Sequence, residues 1–247
     1  LSYSDALTGA RAALRCARDA ARRGEPSWDR LLLELPLVPP TCTLDSTLQV
    51  GGEATWPGGV TQRHRIALRP MAEELFKGYD ATYHGTIDVG QMGVWSMTDL
   101  TAVGFVADLS FKPFLQLTQG GFGDAPTRPG HTLLLINPRL TRAANIGQLW
   151  EGALRRDAEQ ILGEGWRWIY AARPLALADG SCGGAVVTTC VGEDCGGDRT
   201  CTECIALSPP RLLSAASSPA RSIASPFDAA YLREAREQVR RAATGQK

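Results

Sequence analysis

From His131 the chain reads HTLLLINP, with no polar side chain between Leu133 and Ile136. A run this short and this uniformly apolar fits a strand covered on both faces. That happens in parallel sheets, whose crossovers lay helices on each side. LTAVGFVADL (100–109) is nearly as apolar and reads as a second central strand. RLLLELPLVP (30–39) reads as a third, ending at its prolines, with Glu34 as its one buried-strand carboxylate. Further extended pieces fall at 81–90, 93–97, 166–177 and 185–191, the last two as a possible hairpin. The spacing predicts helices over 3–24, 61–77 and 145–162, and a short helix or turn over 111–121. This alternation argues an α/β fold with a mostly parallel central sheet flanked by helices.

In the first helix Ser4 is a cap, and Leu7, Leu14 and Ala21 recur every seven residues with Ala10 and Ala17 between them. Arg11, Arg15, Arg18 and Arg22 fall on another face. The expectation is a narrow apolar stripe and a basic outer side. In the second helix Pro70 predicts either a kink or a fresh first turn. The third has the strongest periodicity: Ile146, Leu149, Trp150, Ala153, Leu154, Ala158 and Ile161 share a face, which puts Trp150 in the core. From Gly192 the texture turns polar and glycine-rich, and 208–226 is rich in Ser, Ala and Pro. The expected organisation is an α/β domain over 1–191, a cysteine-bearing loop and Ser/Pro-rich linker over 192–226, and a C-terminal amphipathic helix over 227–247. The thin stripe of that helix must dock on something.

Chemistry is sparse. Lys plus Arg number 26 and Asp plus Glu number 26, which argues against a general nucleic-acid binder. No apolar run approaches the roughly 20 residues of a membrane-spanning helix. The chain opens at Leu1 rather than Met, as a mature form or a trimmed piece would. GxxxxGK[ST], GxGxxG and GxSxG are all missing. His64, His84 and His131 are far apart, and His131 reads as structural, with Asp88 or Asp108 its candidate neighbours. No catalytic residue and no cofactor are expected.

Ligands of open parallel sheets gather beyond the carboxyl ends of the strands, which singles out Asp88, Asn137 and Arg139 for the rival reading, a small-ligand-binding protein or an enzyme that uses this edge; Asn-Pro equally makes a turn. Arg11, Arg15, Arg18 and Arg22, with Trp166 and Trp168, are candidates for a partner surface; a solvated face and a core strand are the plainer alternatives. Cys190, Cys195, Cys201 and Cys204 lie within fifteen residues. Zinc prefers two close pairs in a tetrahedron, and the gap of five residues between Cys195 and Cys201 is cramped for that. Ordinary loop thiols are expected, with a zinc site and a redox pair as alternatives. Seven cysteines are an odd number, which favours a reducing compartment.

YSDALTGARAALRCARDAARRGEPSWDRLLLELPL (3–37), GGVTQRHRIALRPMAEELFKGYD (58–80), LLLINPRL (133–140) and WRWIYAARPL (166–175) together resemble landmarks of the DUF1995 domain of plant, algal and cyanobacterial proteins. The resemblance spans roughly residues 3 to 177. It implies an α/β domain in a chloroplast protein that assists photosystem assembly or maintenance. Its partners would be photosystem or other thylakoid membrane-protein subunits, met on the stromal side of the thylakoid membrane with peripheral membrane contact. It carries over no catalytic residue. The cysteine-bearing segment and the linker fall outside it.

Overall fold

A computed structural model of the chain describes residues 3–24, 28–37, 59–88, 90–140, 145–148, 150–163, 165–176, 182–188 and 211–212. Cys190, Cys195, Cys201, Cys204 and the helix expected over 227–247 lie outside the described residues. Helix α1 (Tyr3–Arg22) leads into β1 (Arg30–Glu34). Helix α2 has three segments, Gly59–Arg63, the π-turn His64–Leu68 and Arg69–Leu75. Then come β2 (Thr82–Ile87), β3 (Met92–Ser96), β4 (Leu100–Gly104), α3 (Phe111–Thr118) and β5 (Thr132–Ile136). Helix α4 (Gly152–Leu162), β6 (Arg167–Ala176), β7 (Cys182–Thr188) and the two-residue β8 (Arg211–Leu212) follow. The last pairs with β7 inside the stretch expected as linker.

The strands form one sheet in the order β2-β3-β4-β5-β1-β6-β7-β8. Its centre, β4-β5-β1-β6, is parallel throughout. Antiparallel pairings extend it on both sides, β2 and β3 on one and β7 on the other. The apolar runs explain this order. Leu31 to Leu33, Leu100, Ala102, Val103 and Leu133 to Ile136 are all buried, as strands covered on both faces must be. One core holds Leu14 and Ala17 of α1 with Leu68 and Met71 of α2. The other holds Phe111 and Phe114 of α3 with Ala158 and Ile161 of α4, and Trp166 and Trp168 lie in it.

Two helices depart from expectation. Helix α1 is buried more broadly than a narrow stripe, with Ala6, Ala10, Ala12, Ala13, Ala17 and Ala20 all inside; small side chains let it lie close on β6. Helix α4 starts at Gly152 rather than near Asn145. Gly147 adopts φ 72°, a left-handed conformation that an α-helix cannot continue through. The Gln148 N–H donates to Glu151 Oε2 at 2.8 Å instead. Trp150 therefore precedes the helix and is 79% exposed, not core.

In α2 the Arg69 N–H donates to the His64 carbonyl five residues back. The wide turn is complete just before Pro70, which has no N–H to give and sits in the first turn of the next segment. Two glycines let this turn settle onto the sheet. Gly93 and Gly104 face each other across β3 and β4. A Cβ on Gly93 would lie 2.3 Å from His64 Nε2, and one on Gly104 would lie 2.5 Å from Leu68 Cδ2.

Candidate functional site

The crossovers define where a ligand crevice belongs. The helix that follows β1 in the chain, α2, packs in the core with α1, and the helix that follows β5, α4, packs in the other core with α3. Neighbouring strands whose exits diverge make the switch point at which α/β sheets bind ligands. It falls here between the carboxyl ends of β1 and β5.

Asn137 occupies that point. It is buried, with φ 51°, in the left-handed region that Asn tolerates better than most residues. The Leu35 N–H donates to Asn137 Oδ1 at 3.0 Å, and Asn137 Nδ2 donates to the Leu35 carbonyl at 2.8 Å. The side chain thus acts as an extra rung joining the two strand ends. Arg139 is exposed next to it, and its N–H donates to the Val106 carbonyl at 2.7 Å. Asp88 lies on the same edge of the sheet, after β2, with φ 62°. Three strand spacings separate β2 from β5, or about 14 Å. Of the three residues singled out in the sequence, Asn137 and Arg139 are neighbours and Asp88 stands apart from them.

Near this edge, two residues past the partner of Arg139 in an isolated bridge, Leu109 is 96% exposed. Residues 107 and 139 pair as an isolated bridge, which holds the Asp108–Ser110 turn at this edge. Lys112, one turn beyond Leu109, reaches Glu151 at 3.8 Å, and Glu151 follows Trp150. Leu109 lies three residues before one partner of this ion pair and Trp150 directly precedes the other. They are the two most exposed large apolar side chains among the described residues.

The basic face of α1 is largely engaged. Arg11 reaches Glu74 Oε1 at 2.9 Å. Arg18, only 8% exposed, pairs with Asp99 Oδ1 and stacks over the Tyr79 ring at 4.6 Å. Arg22 approaches Asp99 Oδ2 at 3.2 Å. Arg15 is exposed. The expectation of a solvated basic side is corrected for Arg11 and Arg18. Burial disfavours a charged Asp99, but the Arg18 and Arg22 guanidinium groups outweigh it and hold the carboxyl below its usual range. Trp166 and Trp168 are buried, and Trp166 Nε1 donates to the Ile161 carbonyl at 2.7 Å. They form core, not partner surface.

Around the last turns of α1 a cleft of about 500 Å³ opens at the amino edge of the sheet. It is walled by α1, the connection after α2 (Gly78, Tyr79, Asp80) and the β3–β4 turn (Met97, Thr98, Asp99). Sequence reasoning missed it, because residues as distant as Arg18 and Asp99, 81 positions apart, meet there. His131 also lies at this edge, at the opposite end of the strands from Asp88 and Asp108. It bonds Thr101 Oγ1 at 2.9 Å, and burial, then Arg128, lowers its pKa.

Among the described residues His64 is a buried titratable group without such a partner. It packs among Tyr83, Trp95 and Phe105, and its Nε2 makes no hydrogen bond. Burial, then Arg69, lowers its pKa to about 4, with Glu73 opposing.

These features define an α/β protein with an open sheet, an Asn137–Leu35 link between two strand ends at its carboxyl edge and a charged cleft at the opposite edge. Comparison with family models, with curated proteins and with solved structures found no significant match.

Proposed function

We propose that this chain is a non-enzymatic auxiliary protein that docks on subunits of a photosynthetic membrane complex, during assembly or maintenance, on the stromal side of the thylakoid in the chloroplast. The observation that carries the docking part is the high exposure of two large apolar side chains, Leu109 and Trp150. Exposed aromatic side chains flanked by charges are typical anchors of protein interfaces. The partner class comes from the resemblance over residues 3 to 177. The commitment of the Asn137 amide to Leu35 fits this reading better than a ligand at Asp88, Asn137 and Arg139.

The test is capture from solubilised thylakoids by the tagged full chain. The expected result is recovery of photosystem subunits, reduced at least about 30-fold by Leu109→Asp with Trp150→Ala, the size of a lost hot spot. Recovery of no photosystem subunit, or equal recovery by the variant, overturns the proposal. Stoichiometric co-purification at steady state would identify a stable accessory subunit rather than a transient factor.

A further inference from the structure

The amino-edge cleft plays no part in the docking reading. Its volume of about 500 Å³ suits a small molecule. Its walls differ in charge. Helix α1 brings Arg15, Arg18 and Arg22 with one carboxylate, Asp19, while the two loops bring Asp80 and Asp99 and no cation. Asp99 is spent, because Arg18 and Arg22 both converge on it. That arrangement also shows that this stretch of α1 holds a carboxylate with two guanidinium groups. Arg22 also lies 3.8 Å from Asp19 Oδ1, yet it remains 60% exposed in its side chain, and a guanidinium has five N–H donors to share. Asp80 is exposed and enters no ion pair among the described residues. Half-buried Tyr79 and buried Met97 add apolar surface.

We propose that this cleft binds a small zwitterion, an α-amino acid or a dipeptide with an apolar side chain. Its carboxylate lies on Arg22, its ammonium on Asp80 and its side chain against Tyr79 and Met97. A simple anion would meet Asp80 uncompensated, and a simple cation would meet the guanidinium wall. A molecule with both charges and an apolar branch satisfies each wall at once.

The test is calorimetric titration of the full chain with leucine and with dileucine, against N-acetylleucine, which lacks the cation, and leucinamide, which lacks the anion. Saturable binding of either zwitterion is expected, with each blocked derivative about tenfold weaker or worse, as loss of one charge-assisted contact implies. Asp80→Asn should erase the penalty for N-acetylleucine, and Arg22→Gln the penalty for leucinamide. Trp150→Ala should leave binding unchanged, which separates this site from the docking reading. If Arg22→Gln lowers the melting temperature, the Asp80→Asn arm decides alone. No saturable binding of either zwitterion, or equal binding of the blocked derivatives, overturns the proposal.

Discussion

At the carboxyl ends of β1 and β5 the chain joins its strands with one neutral amide, Asn137 on Leu35. At the amino ends it joins helix to sheet with charge, Arg18 and Arg22 on Asp99. The first junction is buried, and the second borders an open cleft. The difference follows from what each solvent environment allows. A buried amide that satisfies both its donor and its acceptor costs little, whereas buried ions demand full pairing. Ion pairs tolerate partial exposure, where water screens what the protein leaves unpaired. A neutral, buried junction and a charged, partly exposed one can therefore sit at opposite ends of one sheet.

Breaking the carboxyl edge should have the largest effect. Asn137→Ala leaves the Leu35 N–H and C=O unpaired and forces alanine into a left-handed conformation. We expect a loss of about 4 kcal/mol in denaturant unfolding, summed from the usual costs of two orphaned groups and the backbone strain. A loss below about 1 kcal/mol would mean that the rung does not hold the strands.

The next effect is acid lability at the α2 turn. The folded pKa of His64, about 4, lies below its ordinary value of 6.5. The unfolded chain therefore binds the proton first. The contribution of neutral His64 is complete above pH 6.5 and is lost as pH falls from 6.5 toward 4, by on the order of 3 kcal/mol. His64→Phe should flatten stability over that window, and an unchanged pH profile would refute the assignment.

At the amino edge Asp99→Asn should cost about 1–2 kcal/mol at neutral pH, less than a fully buried pair because the cleft admits water. The folded pKa of Asp99 is lowered, so its contribution is present above the ordinary value of 3.8 and is lost as pH falls through the folded pKa. The difference between variant and parent should shrink on acidification below that value. A gap that persists in acid would show that Asp99 acts by packing rather than charge.

The smallest effect is Trp150→Ala, within about 0.5 kcal/mol of the parent, as for an exposed side chain. A larger loss of stability would place Trp150 in a core that the structure does not give it.

How much of this was legible depends on the range of the interaction. LLLINP and LTAVG announced central parallel strands because burial on both faces leaves an unbroken apolar run, a local signature. The WRWIYAARPL strand and its antiparallel partner were likewise readable. The start of α4 was not, because the apolar spacing from Ile146 to Ile161 imitates one helix while Gly147 interrupts it. That glycine was the one available signal. Asn137 was found at the correct edge, but its task was not visible, since its partner Leu35 lies 102 residues earlier.

The chain's own pattern determined its class, because hydrophobic runs and helical periodicities are properties of neighbours along the sequence. It could not determine whether an arginine faces water or a carboxylate. Arg18 meets Asp99 across 81 residues, and Arg11 meets Glu74 across 63. Nothing nearby in the sequence encodes either meeting. Only the packing of α1 against α2 and the β3–β4 turn turned a basic stripe into ion pairs and a cleft. Only the left-handed Gly147 turned Trp150 from a presumed core residue into the most exposed aromatic side chain among the described residues.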